Sequence, residues 1–182
     1  METQIGSGGS GSAEPESSQP WMFGSHPEPV RLPWQWATER LTRARAYWIA
    51  TTRPDGQPHS RPVWGIWLND TFYFSTGSLA AQNLAANSAI TVHLGGESEV
   101  VIIEGVAEPV SDGPLVERVV SLYNQKYHWD ADPNNLPGPF YGVRPQVAFG
   151  WLSDDSGLDR GAAFHGTATR WRFRQPSSNE PS

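Results

Sequence analysis

The sequence predicts a mainly β domain with flanking helices. Runs of β-branched and aromatic residues alternate with tight-turn signals along most of the chain. The 18 Gly and 16 Pro are too many for a helical bundle and suit short strands joined by turns. Nine Trp supply a packed core although hydrophobic residues make up only 37% of the chain. At 182 residues the length accommodates one domain of ordinary size with a tail.

Pro33 to Arg45 is predicted helical, with Pro33 suited to the start and Trp36, Leu41 and Ala44 at near-helical spacing. Tyr47 to Thr52 reads as a strand, Arg53 to Gln57 as a turn built on Pro54 and Asp55-Gly56, and His59 to Leu68 as the return strand. Asn69-Asp70 closes a second tight hairpin with Thr71 to Thr76. Ser78 caps a short helix from Leu79 to Ala86. A third hairpin joins Ala89 to Leu94 with Glu99 to Ala107 through Gly95-Gly96-Glu97-Ser98. Asp112 and Pro114 open a longer helix whose apolar face, including Val119, Val120 and Tyr123, runs to about Tyr127. A Pro-, Gly- and Asn-rich loop, Asp130 to Pro145, leads to a strand from Gln146 to Leu152, and Ala168 to Phe173 is the last strand. Residues 1–31 read as a disordered, linker-like tail around the Gly6 to Ser12 run, in which Trp21, Met22 and Phe23 are the residues able to dock on the domain. Residues 32–174 are the domain, and 175–182 are a second disordered tail.

The net charge of −6 argues against broad binding to nucleic acid or to an anionic membrane. No window approaches the roughly 18 consecutive apolar residues of a membrane span, and the N-terminus has no leader pattern, so a soluble, cytoplasmic protein is expected. The absence of Cys removes disulfides, thiolate metal sites and Cys nucleophiles. Asp130 to Asn135 begins like a calcium loop but lacks its Gly and its closing Glu, and no His pair stands one helical turn apart, so no metal site is predicted. Lys126 is the sole lysine, and its setting beside Gln125 makes it a poor Schiff-base candidate. His59 and Ser60 point to opposite faces of a strand and cannot act as a pair. His128 and His165 lie in predicted loops, where either could supply a proton if its loop folds over a groove, and no catalytic residue is assigned.

One segment does carry a site. A two-residue turn at Asn69-Asp70 sets Arg61 opposite Ser78 and Val63 opposite Thr76. Ser75, Thr76, Gly77 and Ser78 then present hydroxyls and backbone N–H groups at a helix start, and Arg61 adds a forked donor, which together suit a phosphate. The plainer alternative is a Ser cap, a Gly turn and a surface Arg.

The layout of helix, three strands, short helix, two strands, long helix and terminal strands resembles the split β-barrel flavin- and deazaflavin-binding family. Gly56-Gln57-Pro58-His59-Ser60-Arg61-Pro62-Val63-Trp64, Phe72 to Gly77, Asn83-Leu84-Ala85-Ala86-Asn87, Val100 to Gly105 and Thr167 to Phe173 resemble its pyridoxamine 5′-phosphate oxidase-like branch. The resemblance implies an FMN-binding-like, antiparallel Greek-key barrel that forms a homodimer with a cofactor at the subunit interface. It implies a ring against Pro62, Val63, Trp64 and Trp171, and a ribityl-phosphate arm among Arg61, Ser75, Thr76, Gly77, Ser78 and Gln82. The reaction implied is hydride transfer between the deazaflavin F-420 or FMN and an unsaturated small organic substrate, with F-420 preferred on the Ser-Thr-Gly turn. True pyridoxamine phosphate oxidation is disfavoured, because Arg170-Trp171-Arg172 stands where an Arg-x-His signature is expected. The chain also departs from the family at Leu79, Ala80, Ala81 and Gln82, where a Lys or Arg is usual. That departure keeps two alternatives in view: a non-enzymatic flavin or haem carrier, and a pseudo-enzyme that has lost its cofactor.

Overall fold

The computed structural model describes residues 14–21, 28–96, 98–136, 138–154 and 161–174. The first strand, β1 (Glu16–Ser18), is followed by helix α1 (Trp34–Arg43), β2 (Tyr47–Thr52), β3 (Pro58–Val63), β4 (Ile66–Leu68) and β5 (Thr71–Ser75). Helix α2 (Leu79–Ala86), β6 (Ala89–His93), β7 (Glu99–Pro109), α3 (Gly113–Tyr127), β8 (Phe140–Leu152), α4 (Ala162–Thr167) and β9 (Thr169–Arg172) complete it. None of the helices among the described residues is long and apolar enough to cross a membrane.

Local chemistry accounts for most boundaries. Asn69 and Asp70 both adopt positive φ, 49° and 53°, the two-residue turn whose twist suits a hairpin. Ser78 accepts the Ala80 N–H and so caps α2. Gly56, at φ 87°, closes the turn between β2 and β3.

The strands form one antiparallel sheet in the order β1-β9-β8-β7-β6-β2-β3. The long β8 divides its pairing: Phe140–Val143 run beside β5, and Val147–Gly150 run beside β9. A register shift at Glu104/Gly105 bends β7 at the same level. The core beneath the sheet is built from Ile49, Phe72, Phe74, Val92, Val101, Ile103, Val143 and Trp171, with Trp34, Ala37 and Leu41 of α1 packed on it. A second cluster holds α3 through Val119, Val120, Tyr123 and Tyr127 against Ile66, Tyr73 and Phe140.

Five expectations change. The sheet is not closed, so the expected barrel is open along a seam. Residues 59–68 are not one strand, because pairing fails at Trp64 and Gly65 and only β4 continues the hairpin, as Ile66↔Tyr73, Trp67↔Phe72 and Leu68↔Thr71. Consequently Arg61 and Ser78 are not ladder partners: β3 pairs only with β2 and ends the sheet. Phe140 to Pro145, expected as loop, is strand, because β5 and β7 flank it on both sides. Within the expected tail, β1 pairs with β9, Pro20 is buried and Trp21 is exposed, while Met22, Phe23 and the Gly6 to Ser12 run lie outside the described residues.

Gly65 explains the break sterically. A Cβ there would lie 2.1 Å from Phe72 Cε2, so only glycine lets the chain cross so close to the core. We expect Gly65→Ala to destabilise the fold by about 1–3 kcal/mol through overpacking. A lower urea midpoint at unchanged m-value would record this, and an unaltered midpoint would show that the Phe72 ring can yield.

Candidate functional site

The open seam is a groove of about 560 Å³ between the free edge of β3 and the turn after β5. One wall carries Arg61, Pro62, Val63 and Trp64, the other carries Ser75, Thr76, Gly77 and Ser78, and Ala46, Tyr123, Trp129 and Gly138 close the ends. Because β3 is a sheet edge, alternate peptide groups along this wall lack a strand partner on the groove side.

The polar end is assembled from short-range contacts. The Arg61 guanidinium donates to Ser78 Oγ, which also lies 3.0 Å from Thr76 Oγ1. Ser75 Oγ donates to the Gly138 carbonyl at 3.4 Å, drawing the loop before β8 over the turn. Asn83 of α2, fully buried, donates to Thr51 Oγ1 of β2 at 2.9 Å and so fixes where the N-terminus of α2 lies relative to Arg61. Arg61 therefore reaches Ser78 through its side chain, across a gap the backbone ladder leaves open. The first turn of α2 holds Leu79, Ala80, Ala81 and Gln82, so among the described lining residues Arg61 is the single cation.

The apolar end is aromatic. Trp64, 51% exposed, stacks on Tyr127 at a centroid distance of 4.6 Å, with the rings 6° from parallel, and meets Trp129 edge-on. Tyr123 donates to the Trp64 carbonyl at 2.7 Å. Tyr127 Oη accepts the Gly65 N–H at 3.0 Å and lies 2.9 Å from the Gly65 carbonyl. Lys126 Nζ donates to that same carbonyl and to Tyr47 Oη, each at 3.0 Å. Burial raises the pKa of Tyr47, Tyr123 and Tyr127 above the ordinary phenol value, with repulsion among the three adding to it at Tyr47 and Tyr123. Burial lowers that of Lys126 to about 8, and the neighbouring Arg45 pushes the same way.

Eight of the ten residues expected at a cofactor, Arg61 to Trp64 and Ser75 to Ser78, line this groove. Gln82 lies on the exposed side of α2, outside the lining. Trp171 is 1% exposed, packs edge-on against Trp34 and donates to the Leu32 carbonyl at 3.2 Å, so its ring belongs to the core. None of the described histidines lines the groove. His128 caps α3 in the left-handed conformation, and His165 lies in α4 against Phe164. Asp132 closes a turn by accepting from Asn134. Sequence reasoning did not find Tyr123, Lys126, Tyr127 and Trp129; the signal was present in the spacing of Tyr123 and Tyr127, which share one helix face.

A groove at the open seam of an antiparallel sheet, cationic and hydroxyl-rich at one end and aromatic at the other, defines the class of fold and candidate site. The family model described as pyridoxamine 5′-phosphate oxidase matches residues 35–173, and the chain belongs to that family. Solved structures share the fold. A Mycobacterium tuberculosis protein, Rv2991, aligns at 23% identity over 74% of this chain and 93% of its own, with a TM-score of 0.59. The general stress protein 26 of Bacillus anthracis aligns at 20% identity over 64% and 91%, with a TM-score of 0.55. An F420 reductase aligns at 21% identity over 60% and 93%, with a TM-score of 0.50. A search of curated protein sequences finds no match.

The buried lysine and tyrosines give stability a defined pH dependence. The folded chain sheds the Lys126 proton near pH 8, whereas the unfolded chain holds it to about 10.5. Unfolding therefore takes up a proton in that interval, and this group's contribution to stability grows as pH rises through it. Above the ordinary phenol value of 10.0 the unfolded tyrosines lose protons that the folded ones keep, so stability falls. Urea midpoints measured against pH should pass through a maximum near 10, with the rising limb absent in Lys126→Met; a rising limb that survives this substitution would assign it to another group.

Proposed function

We propose that this protein is an oxidoreductase that moves a hydride between a flavin-class cofactor, F-420 or FMN, and an unsaturated small organic substrate. The observation that carries the reading is the division of one groove into an anion-holding end and a flat aromatic end with no acidic residue in its described lining. The groove volume lies within the usual range for small-molecule sites, and its donor set suits a phosphate, so the residues fit such a cofactor. Arg61, Thr76, Ser78 and the Gly77 backbone would hold the phosphate. Pro62, Val63 and Trp64 would lie along the ring, which when bound supplies the hydride-carrying chemistry. Trp64 and Trp129 would shield one end of the bound ring from water. Tyr123 keeps its proton, directed at the Trp64 carbonyl, so it orders the wall and is not a general acid at neutral pH. F-420 is preferred on the resemblance of the Ser75-Thr76-Gly77 turn and the Asn83 to Asn87 run to the deazaflavin-using branch.

The bare first turn of α2 supports a second reading, a pseudo-enzyme without cofactor, because a single guanidinium carries the phosphate end. A haem carrier has no imidazole in the described lining to support it. Titration with F-420, FMN and haem, followed by ligand absorbance, separates these readings. Micromolar binding of F-420 or FMN supports the oxidoreductase, and binding of neither supports the pseudo-enzyme. Arg61→Ala should weaken phosphate-bearing cofactors by roughly ten- to more than a hundredfold, as a lost charge-assisted contact of about 1.5–3 kcal/mol requires, and should leave dephosphorylated analogues nearly unchanged. Equal loss for both would remove the phosphate assignment.

The site is also proposed to lie at the interface of a homodimer. Trp48, His93, Ile102 and Phe149 are register partners across β2, β6, β7 and β8, and form a row on one face of the sheet. Trp48 is 39% exposed at the end of this row, and its β3 partner is Pro62 of the groove wall. A row of three apolar side chains and His93 that continues into the groove wall suits a second copy of the chain. Sedimentation should give twice the 20.1 kDa chain mass, and Trp48→Glu should give monomers with weakened cofactor binding. A monomeric wild type that binds cofactor at full affinity would refute the interface.

A further inference from the structure

Lys126 is the only lysine among 182 residues, in a chain that otherwise uses arginine for every cation. It is half-buried at the end of α3, beneath the groove and outside its lining. Its ammonium donates in three directions, to the Gly65 carbonyl and Tyr47 Oη at 3.0 Å and to the Thr42 carbonyl at 3.4 Å. One cation thus joins the last turns of α1 and α3, strand β2, and the break between β3 and β4. An ammonium offers its three donors from one compact atom, whereas a guanidinium spreads five over a wide plane, so an arginine would not reproduce this set of bonds. The same ammonium lies 5.1 Å from the Tyr47 ring centre and 5.5 Å from that of Tyr127, the ring on which Trp64 stacks.

We propose that Lys126 is a positioning residue for the groove: through the Gly65 carbonyl and the Tyr127 ring, its charge holds the Trp64 wall against which a flat ligand packs. Loss of the charge weakens the cation–π contact and the bonds to Gly65 and Tyr47, and the wall loosens. The groups facing it are Arg45 from the segment between α1 and β2, Tyr47 from β2, and Tyr127 with Tyr123 one turn behind on α3. No carboxylate lies within salt-bridge reach of it among the described residues. Among the described residues nothing anionic therefore holds the proton in place, and the lowered pKa follows from the same geometry.

This inference rests on the ligand groove described above, and it is tested first without ligand. Isotope-labelled lysine gives a single side-chain signal, and the Trp64 indole N–H resonance is assigned by its loss in Trp64→Phe. Both should titrate together with a midpoint near pH 8, and in Lys126→Met the Trp64 resonance should be displaced from its neutral-pH position and independent of pH. Lys126→Arg should restore the charge and not the three bonds, leaving the Trp64 resonance displaced and independent of pH. At about pH 7, Lys126→Met should weaken FMN or F-420 binding about tenfold. A Trp64 resonance that stays fixed while Lys126 titrates would overturn the proposal, as would a Lys126→Met protein with wild-type Trp64 position and affinity. If Lys126→Met does not fold, the wild-type titration alone decides. If wild type binds neither cofactor, the functional reading falls while the Trp64 titration still judges the positioning role.

Discussion

The peptide groups of Trp64 and Gly65 are bonded to a helix instead of to a strand, and the site follows from that exchange. Continuing the β4–β5 register backward would bring Trp64 to Ser75 and Val63 to Thr76, and would close the seam. Instead Tyr127 takes the Gly65 N–H, Lys126 shares the Gly65 carbonyl with Tyr127, and Tyr123 takes the Trp64 carbonyl. Buried backbone groups must have partners, so supplying them from α3 releases β3 from β5. Gly65 makes the exchange sterically possible, because any side chain there would enter the Phe72 ring.

The groove inherits its chemistry from this arrangement. Its polar end lies where Arg61, freed from the ladder, meets the cap of α2, and its aromatic end lies where α3 supports Trp64 from behind. The electrostatics are sparse: one guanidinium faces the groove, while the one lysine supports its wall from below. A groove with a single cation in its described polar lining depends on correct placement of that cation more than a charge-rich one would. The buried Asn83–Thr51 bond and the Ser78 cap supply that placement.

Much of the fold was legible locally. The Asn69-Asp70 turn, the Ser78 cap, the Gly56 turn and the start of α3 at Asp112 are set by residues a few positions apart, and each stands where the sequence puts it. Phe140 to Pro145 was not legible, because its Pro and Gly neighbours favour loop and only flanking strands on both sides override them. Strand β1 was hidden in the same way: Glu16–Ser18 has no strand pattern and gains one only from the edge that β9 offers.

The candidate site divides along the same line. The sequence by itself determined the hairpins, the caps, the family layout and the eight residues from Arg61 to Trp64 and Ser75 to Ser78, because they lie in two short segments joined by a readable hairpin. Only the tertiary structure decided that Trp171 fills the core, that Trp129 faces the groove, and that Lys126 and two tyrosines open the seam. The physical reason is range. Turns and caps satisfy backbone groups within a few residues, whereas a buried aromatic or a half-buried ammonium acquires its role from partners some sixty positions away, such as Gly65 for Tyr127, and no local pattern records them.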